Sequence, residues 1–404
     1  MATPADATQT RLLPAEGRAI GVLSLVVVCR MLGLFMILPV LAVHTADYAG
    51  ATPALIGLVI GAYGITQAAL QIPFGLLSDR IGRRPVIVAG LCLLAAGSVL
   101  AATAQTLPVL IVARVLQGAG AISAAATALL ADLTRFEVRT RAMALLGASI
   151  GASFMLSLVL GPLLGAWLGA RSIFWLTGAL ALGGVVLVLG AVPNPPTHAR
   201  SAALLDRARL AEVFASPSLL RLDAGVFLVH MQLTALFVAV PLVLRDELGL
   251  AAGRHWQVYV LAILTSLLAT VPMIRALERG TGARRLWVLA LIALAVSQAL
   301  LALGFGSLPV LIGALILFFV GFNFIEARLP AEVTREAPGD LRGAATGVYA
   351  SSQFFGAFVG GSVGGLLYGY GGPSAVFAFG AAAAALWLGL LGEAGESAPV
   401  DLSR

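Results

Sequence analysis

Uncharged apolar stretches of about 20 residues recur along this chain from Ile20 to Leu391, and nothing else constrains its fold so strongly. A helix needs that length to cross the hydrocarbon core of a bilayer. Inside lipid the backbone must satisfy its own hydrogen bonds, which a helix does within one segment. The expected fold is therefore an all-α membrane protein with the lipid bilayer as its solvent. Composition agrees, since 11% of the residues are charged where soluble domains run to roughly 25%. Twelve transmembrane helices are read, at 20–43, 55–77, 86–104, 108–131, 142–168, 172–192, 222–245, 255–274, 286–304, 308–331, 343–369 and 373–392. Most connectors are short, as between antiparallel neighbours. The exception, 193–221, opens on Pro193-Asn194-Pro195-Pro196 and is expected to be a cytoplasmic linker. It separates an N-terminal six-helix bundle (1–192) from a C-terminal one (222–404). The polar start, Met1 to Arg18, is followed by no cleavage-like site and is expected to be retained.

Residue types exclude several kinds of chemistry. All 25 basic residues are arginine, which removes both the lysine of a phosphate-binding loop and any Schiff-base cofactor. Cys29 and Cys92 lie inside apolar runs, and His44, His198, His230 and His255 lack ligand spacing, so no disulfide framework or metal site is signalled. Nineteen arginines fall on the side of the chain ends, three (Arg171, Arg245, Arg254) on the opposite side and three (Arg30, Arg114, Arg328) within spans. That asymmetry places both termini in the cytoplasm. The net charge of +6 is thus an orientation signal and does not imply a nucleic-acid partner, because no single basic face lies ready for phosphates.

The halves echo each other. Phe35-Met36-Ile37-Leu38-Pro39 matches Phe237-Val238-Ala239-Val240-Pro241, and Pro73 with Asp79-Arg80 matches Pro272 with Glu278-Arg279. Asp132-Leu133-Thr134-Arg135 matches Glu332-Val333-Thr334-Arg335, and Gly161-Pro162-Leu163-Leu164 matches Gly364-Gly365-Leu366-Leu367. The offsets, 202, 199, 200 and 203 residues, are nearly constant. Two pseudo-symmetric repeats sharing one orientation are an arrangement of transporters that bind substrate near the midplane between halves.

One stretch carries a family signature. Gly75-Leu76-Leu77-Ser78-Asp79-Arg80-Ile81-Gly82-Arg83-Arg84-Pro85, between spans two and three, meets every position of the loop pattern of the major facilitator superfamily, and the chain resembles that family over its whole length. Arg114-Val115-Leu116-Gln117-Gly118-Ala119-Gly120-Ala121 resembles its span-four motif. Gly161-Pro162-Leu163-Leu164-Gly165 resembles the core of its antiporter motif, with Ser157 and Ala166 where that pattern prefers glycine. The combination is most similar to bacterial twelve-helix drug:proton antiporters. The resemblance implies a non-enzymatic, multi-pass inner-membrane transporter that exports small molecules and uses the proton gradient without a cofactor, functional as a monomer. The rival readings are a sugar or metabolite effluxer, an uncoupled facilitator, and a transporter-like sensor that moves nothing.

Individual residues carry further expectations. Asp79 at the C-terminal end of span two opposes the helix dipole and needs a partner. Arg83 lies four residues on, and the resemblance adds Asp132 and a gating role for the cluster Gly75, Asp79, Arg80, Gly82, Arg83, Arg84 and Asp132. Asp79 also has the positive start of span eleven, near Gly343, within its expected reach. Arg30 and Arg114 sit deep in spans, where a lone arginine costs about 2.5–3.5 kcal/mol, and are expected to line the central cavity with Gln117. Tyr63, Gln67 and Gln71 form one face of span two, and Tyr349 with Gln353 repeats the spacing on span eleven. Both sets read equally as helix-to-helix bridges and as substrate contacts. Asn323 and Glu326 are expected to share a face of span ten, with Glu326 pairing Arg328 or carrying the coupled proton. His230 is the competing proton carrier, and Asp223, Asp79 or a proton carried by the substrate itself are the remaining alternatives. Pro162 is expected to bend span five, and Gly161 and Gly165 to admit a partner helix.

Overall fold

The computed structural model describes residues 12–46, 48–193, 207–280, 282–304, 306–339 and 341–397, and among them regular structure is helical with no strand. Among the described residues eleven helical stretches are long and apolar enough to cross a membrane. One of them, Arg342–Ser397, breaks at Gly371 (φ −137°) and Gly372 (φ 64°, ψ −163°), a left-handed position that glycine tolerates. The break yields spans eleven and twelve and brings the crossings to twelve.

Spans two, three, five and six are Pro53–Ile81, Arg83–Thr103, Phe136–Leu168 and Ala170–Ala191. Spans seven to ten are Pro217–Leu242, His255–Glu278, Ala283–Leu303 and Leu308–Glu336. Span one comes in two pieces, Pro14–Met36 and Leu38–Thr45, because Pro39 has no N–H to continue the ladder. Its start lies six residues before the sequence expectation, where Pro14 opens the helix and Glu16 accepts from the Leu13 N–H at 2.8 Å. Span four also divides, into Leu107–Gly118 and Ser123–Asp132. A Cβ on Gly118 would fall onto the Tyr63 carbonyl, and one on Gly120 would stand 2.6 Å from the Gly90 carbonyl, so the break lies where span four is pressed between spans two and three. Span five, by contrast, runs unbroken through Pro162.

Residues 194–206 of the expected linker lie outside the described residues. The rest of it is not irregular: Arg207–Ala215 is a helix whose Val213 is fully buried in the core of the second half. That core is aromatic, with Phe318 stacked on Phe322 and Phe237 against Tyr259.

Spans two and eleven pack closely at the end of the molecule remote from Pro14, here called the far side. A Cβ on Gly61 would stand 2.6 Å from the Phe358 carbonyl, and one on Gly365 2.5 Å from the Pro53 carbonyl. Arg245, after span seven, donates to the Val43 carbonyl of span one at 3.3 Å, and Ala166 of span five meets Gly253 at the start of span eight. Val238 and Leu242 of span seven complete the apolar cluster of Ile37 and Leu41. On the near side, Gly75 faces Ala124 of its own half, while a Cβ at Gly343, Gly147 or Gly151 would meet nothing within 4 Å. The tightest contacts between the halves lie on the far side; toward the near side spans two and eleven still meet where a Cβ on Gly347 would stand 3.5 Å from Ile72.

Candidate functional site: a polar centre between two halves

In the first half, polar side chains form one buried network. Arg30 (2% exposed) donates to Ser123 Oγ at 2.9 Å, to Tyr63 Oη at 3.2 Å and to Gln67 Oε1 at 2.9 Å. The Tyr63 hydroxyl also donates to Gln67 Oε1 at 3.2 Å, and Gln67 Nε2 donates to Gln71 Oε1 at 3.1 Å. Arg114 (3% exposed) donates to Gln117 Oε1 at 2.8 Å and to the Val59 carbonyl at 3.3 Å, and its guanidinium lies 5.3 Å from the Tyr63 ring centre. Gln117 passes the chain on to Ser98 at 2.8 Å. Neutral acceptors and a ring face therefore hold both cations, and no ion pair to either occurs among the described residues. Arg30 and Arg114 are both buried, and these bonds hold each within its own half. Each guanidinium carries five donors, and the neighbouring spans supply enough neutral oxygens to hold it there. Ser98 and Ser123 were not foreseen, because serines in apolar helices usually bond their own backbone. Tyr63 reaches the other half, its ring centre 6.0 Å from that of Phe354.

The second half is built differently. His230 of span seven, Glu326 of span ten and Gln353 of span eleven converge, although 123 residues separate the first and last. His230 Nδ1 lies 3.1 Å from the Val226 carbonyl, which can only accept, so this nitrogen carries the proton. In the neutral ring Nε2 then accepts from Gln353 Nε2, 2.7 Å away. The same amide donates to Glu326 Oε1 at 3.4 Å, and Glu326 Oε2 is 3.8 Å from His230 Nε2. The two rival proton carriers thus belong to one cluster. Glu326 does not pair Arg328, which is taken up by Glu332, itself bonded to Arg335 at 2.6 Å. Asn323, three residues before Glu326, donates to Ser266 of span eight at 3.1 Å and makes no bond to the His230–Glu326–Gln353 cluster. Tyr349 is buried on span eleven and its hydroxyl makes no hydrogen bond among the described residues.

At the near side, the signature loop is assembled around Arg83. It pairs with Asp79, reaches Asp132 at 3.3 Å and donates to Ser78 Oγ at 2.7 Å. Gly82 takes φ 104°, which explains the glycine between spans two and three. Arg84 donates to the Val188 and Leu189 carbonyls at 2.9 and 2.8 Å, capping the end of span six. Arg80 is exposed. At the start of span eleven, a Cβ on Gly343 would meet nothing within 4 Å. A second clasp went unread in the sequence: Glu16, 4% exposed, accepts from the Arg135 side chain at 2.8 Å and from its backbone N–H at 3.1 Å. On the far side, a Cβ on Gly161 would fall onto the Met36 carbonyl and one on Gly165 would stand 2.8 Å from Val40, so span five packs on the broken part of span one.

Twelve spans, echoing halves and this loop together decide the family, and a direct comparison agrees. The sequence profile described as Major Facilitator Superfamily matches residues 23–324 and 222–398. The chain belongs to the major facilitator superfamily. It is a multi-pass membrane transporter of that family and not an enzyme. It is 43% identical over 380 residues to the inner membrane transport protein YajR of Escherichia coli (strain K12), covering 94% of this chain and 83% of that one. A shorter likeness, 36% over 118 residues, links it to the multidrug resistance protein MdtH of Aeromonas hydrophila, covering 29% of this chain and 30% of that one. Among solved structures, a bacterial homologue of the human lysosomal transporter Spinster, titled inward-facing and occupied, shares the fold with a TM-score of 0.76 at 15% identity, over 95% of this chain and 98% of that one.

Proposed function

We propose that this transporter is a proton-coupled antiporter that expels small organic compounds from the cytoplasm by alternating access. The observation that carries this reading is the His230–Glu326–Gln353 cluster. It sets a carboxylate and an imidazole 3.8 Å apart at mid-membrane, joined by an amide that bonds both. A proton arriving there makes an imidazolium–carboxylate pair or a neutral acid, and each state calls for a different arrangement of Gln353. Proton occupancy is thereby tied to the geometry of spans seven, ten and eleven, whose positions relative to the first half define access. The local likeness to a multidrug resistance protein supports the substrate class. The relative named as an inner membrane protein supports that location. Arginine asymmetry supports cytoplasmic termini, which makes the near side the cytoplasmic one; the tight far-side contacts between the halves support an inward-facing conformation.

In this reading 1–192 and 222–404 rock against each other about the polar centre, with the Arg207–Ala215 helix moving with the second half. The Asp79–Arg83–Asp132 cluster gates the near side, and Gly161, Pro162 and Gly165 seal the first half. The protein works as a monomer, without a cofactor, on the proton gradient alone. The test is transport by inverted vesicles under an imposed pH gradient, with a panel of cationic, neutral and anionic compounds. Accumulation that collapses with a proton ionophore and is lost in Glu326→Gln is expected. Flux indifferent to the gradient would make the protein a facilitator, and binding without flux would make it a sensor.

A further inference from the structure

On the far side, where the two halves meet, lies a cavity of about 270 Å³. Pro39, Val40, Val43 and His44, on the second piece of span one, form one wall. Pro162 forms another with the residues that follow it, and Gly165, Ala166, Gly169 and Ala170 carry no side chain beyond a methyl there, which makes the room. The last wall, Ala252 and His255, comes from the start of span eight. The second half thus closes a space that the first half only begins. The halves are tight at its rim, since a Cβ on Gly253 would stand 3.0 Å from Ala166.

Two of the lining side chains are polar, and both are imidazoles, one from each half. His255 is 1% exposed, and its Nε2 lies 3.0 Å from the Leu250 carbonyl, which can only accept. That nitrogen therefore carries the proton, and Nδ1 is the acceptor of the neutral ring. His44 stands edge-on to Tyr48, with ring centres 5.3 Å apart. Among the described residues no arginine and no carboxylate lines the cavity, so a charged occupant would lie there without a counter-ion, which is costly. A wholly apolar occupant would cover the imidazoles without bonding them. Size narrows the class further. An apolar cavity of about 150 Å³ holds a benzene, so this one suits a molecule on the order of ten non-hydrogen atoms.

We infer that this cavity is a binding site for a small uncharged molecule: an aromatic ring with a short alkyl chain and one hydroxyl. The hydroxyl donates to an imidazole, and the apolar body lies against the prolines and valines. Because the walls come from both halves, the occupant binds while the far side is shut and is released when it opens. A ligand that binds one state alone shifts the population toward it, so the occupant holds the far side closed and slows the cycle. That last effect rests on the alternating-access reading, whereas the binding does not, and neither depends on proton coupling.

Equilibrium dialysis of tritiated 4-propylphenol against the full-length protein in lipid nanodiscs tests the site, with empty nanodiscs subtracted to remove partition into lipid. Wild type should bind the phenol saturably, and at least severalfold more tightly than propylbenzene. Ala252→Phe fills the cavity from the second half and should weaken binding at least tenfold, with the melting temperature within a few degrees of wild type. His255→Phe keeps a ring and removes the acceptor, so it should weaken the phenol severalfold and leave propylbenzene unchanged. Gly61→Leu, which props the far side open, should weaken both. Absence of saturable binding, or unchanged affinity in Ala252→Phe, would overturn the site. Equal affinities for the two probes, both indifferent to His255→Phe, would overturn the hydroxylated class in favour of an apolar occupant such as an acyl chain. Transport in vesicles completes the test: the phenol should slow efflux by wild type and spare Ala252→Phe. Undiminished flux at saturating phenol would overturn the hold on the far side. Flux indifferent to the pH gradient, with phenol binding intact, would instead remove the coupling reading and leave this site standing.

Discussion

Arg30 concentrates the energetics of the first half in one side chain. A lone arginine at the centre of a span costs about 2.5–3.5 kcal/mol on insertion scales. Its three hydrogen bonds go to neutral groups, and such bonds between spans average about 0.6 kcal/mol each, so they offset less than the cost. Stability alone does not account for this residue. Arg30→Met, of similar length and apolar, is therefore expected to insert and melt at or above the wild-type temperature while losing most transport. A melting point lowered by many degrees, with normal transport per folded molecule, would reassign Arg30 to structure. Glu326 gives the complementary case in the second half. Its side chain is one-third exposed and bonded only to an amide, with the imidazole 3.8 Å away, so Glu326→Gln leaves no buried cation stranded. That variant should keep wild-type expression and substrate binding while uphill accumulation falls at least tenfold and downhill exchange persists. Wild-type accumulation would remove Glu326 from the coupling step. Of this centre, the residue types and depths were legible in the sequence, whereas their convergence was not. His230, Glu326 and Gln353 come from three spans, and only the packing of those spans decides that one amide reaches both titratable groups.

At the scale of elements, apolar length set the crossings, and each expected span has a helix over it. Interruptions were harder to read. Pro39 breaks span one while Pro162, Pro73 and Pro272 lie inside continuous helices, because a missing N–H ends a helix only where neighbouring groups do not take up the freed carbonyl. Span four breaks under pressure from two neighbours, a property of packing that no local pattern encodes. The close approaches of small residues make sharp predictions. Spans two and eleven meet through Gly57, Gly61, Gly361 and Gly365, so Gly61→Leu places a side chain where the Phe358 carbonyl now lies. The far side should then fail to close, and a cysteine at Phe354 should react with a membrane-impermeant maleimide applied from that side, at least severalfold faster than in the glycine parent. Equal rates would show that the two spans separate without consequence. Gly161→Leu tests the seam inside the first half: insertion should continue, with transport impaired by displacement of the Met36 backbone. Full activity there would exclude tight packing of span five on span one.

Across the whole molecule, two similar sets of helices carry dissimilar charges. At offsets near 200 residues, Arg30 corresponds to Gln232, Arg114 to Ala314 and Glu326 to Ala126. The first half therefore holds two buried cations and the second half the acids Asp223 and Glu326, so the two repeats share a scaffold and differ in the charges they carry. The near side decides how that scaffold moves. Asp79 is paired with Arg83, which also holds Asp132, and none of these ion pairs reaches span eleven. In the proposed alternating-access cycle the near side closes, which would bring the positive N-terminus of span eleven to the cluster, where an acid is stabilised by about 0.3–1 kcal/mol. Asp79→Asn keeps the shape and removes the charge, so it should shift the balance toward the inward-facing state by roughly two- to fivefold. Cysteines replacing Ile81 and Thr346, exposed at the near-side ends of spans two and eleven, report the closed state through a short bismaleimide, with Cys29 and Cys92 first changed to serine. Cross-linking should fall by that factor in the Asn variant, while labelling of a near-side cysteine in the cleft rises and the melting temperature stays within a few degrees. Undiminished cross-linking would mean that Asp79 serves only to order Arg83 and that closure is driven elsewhere.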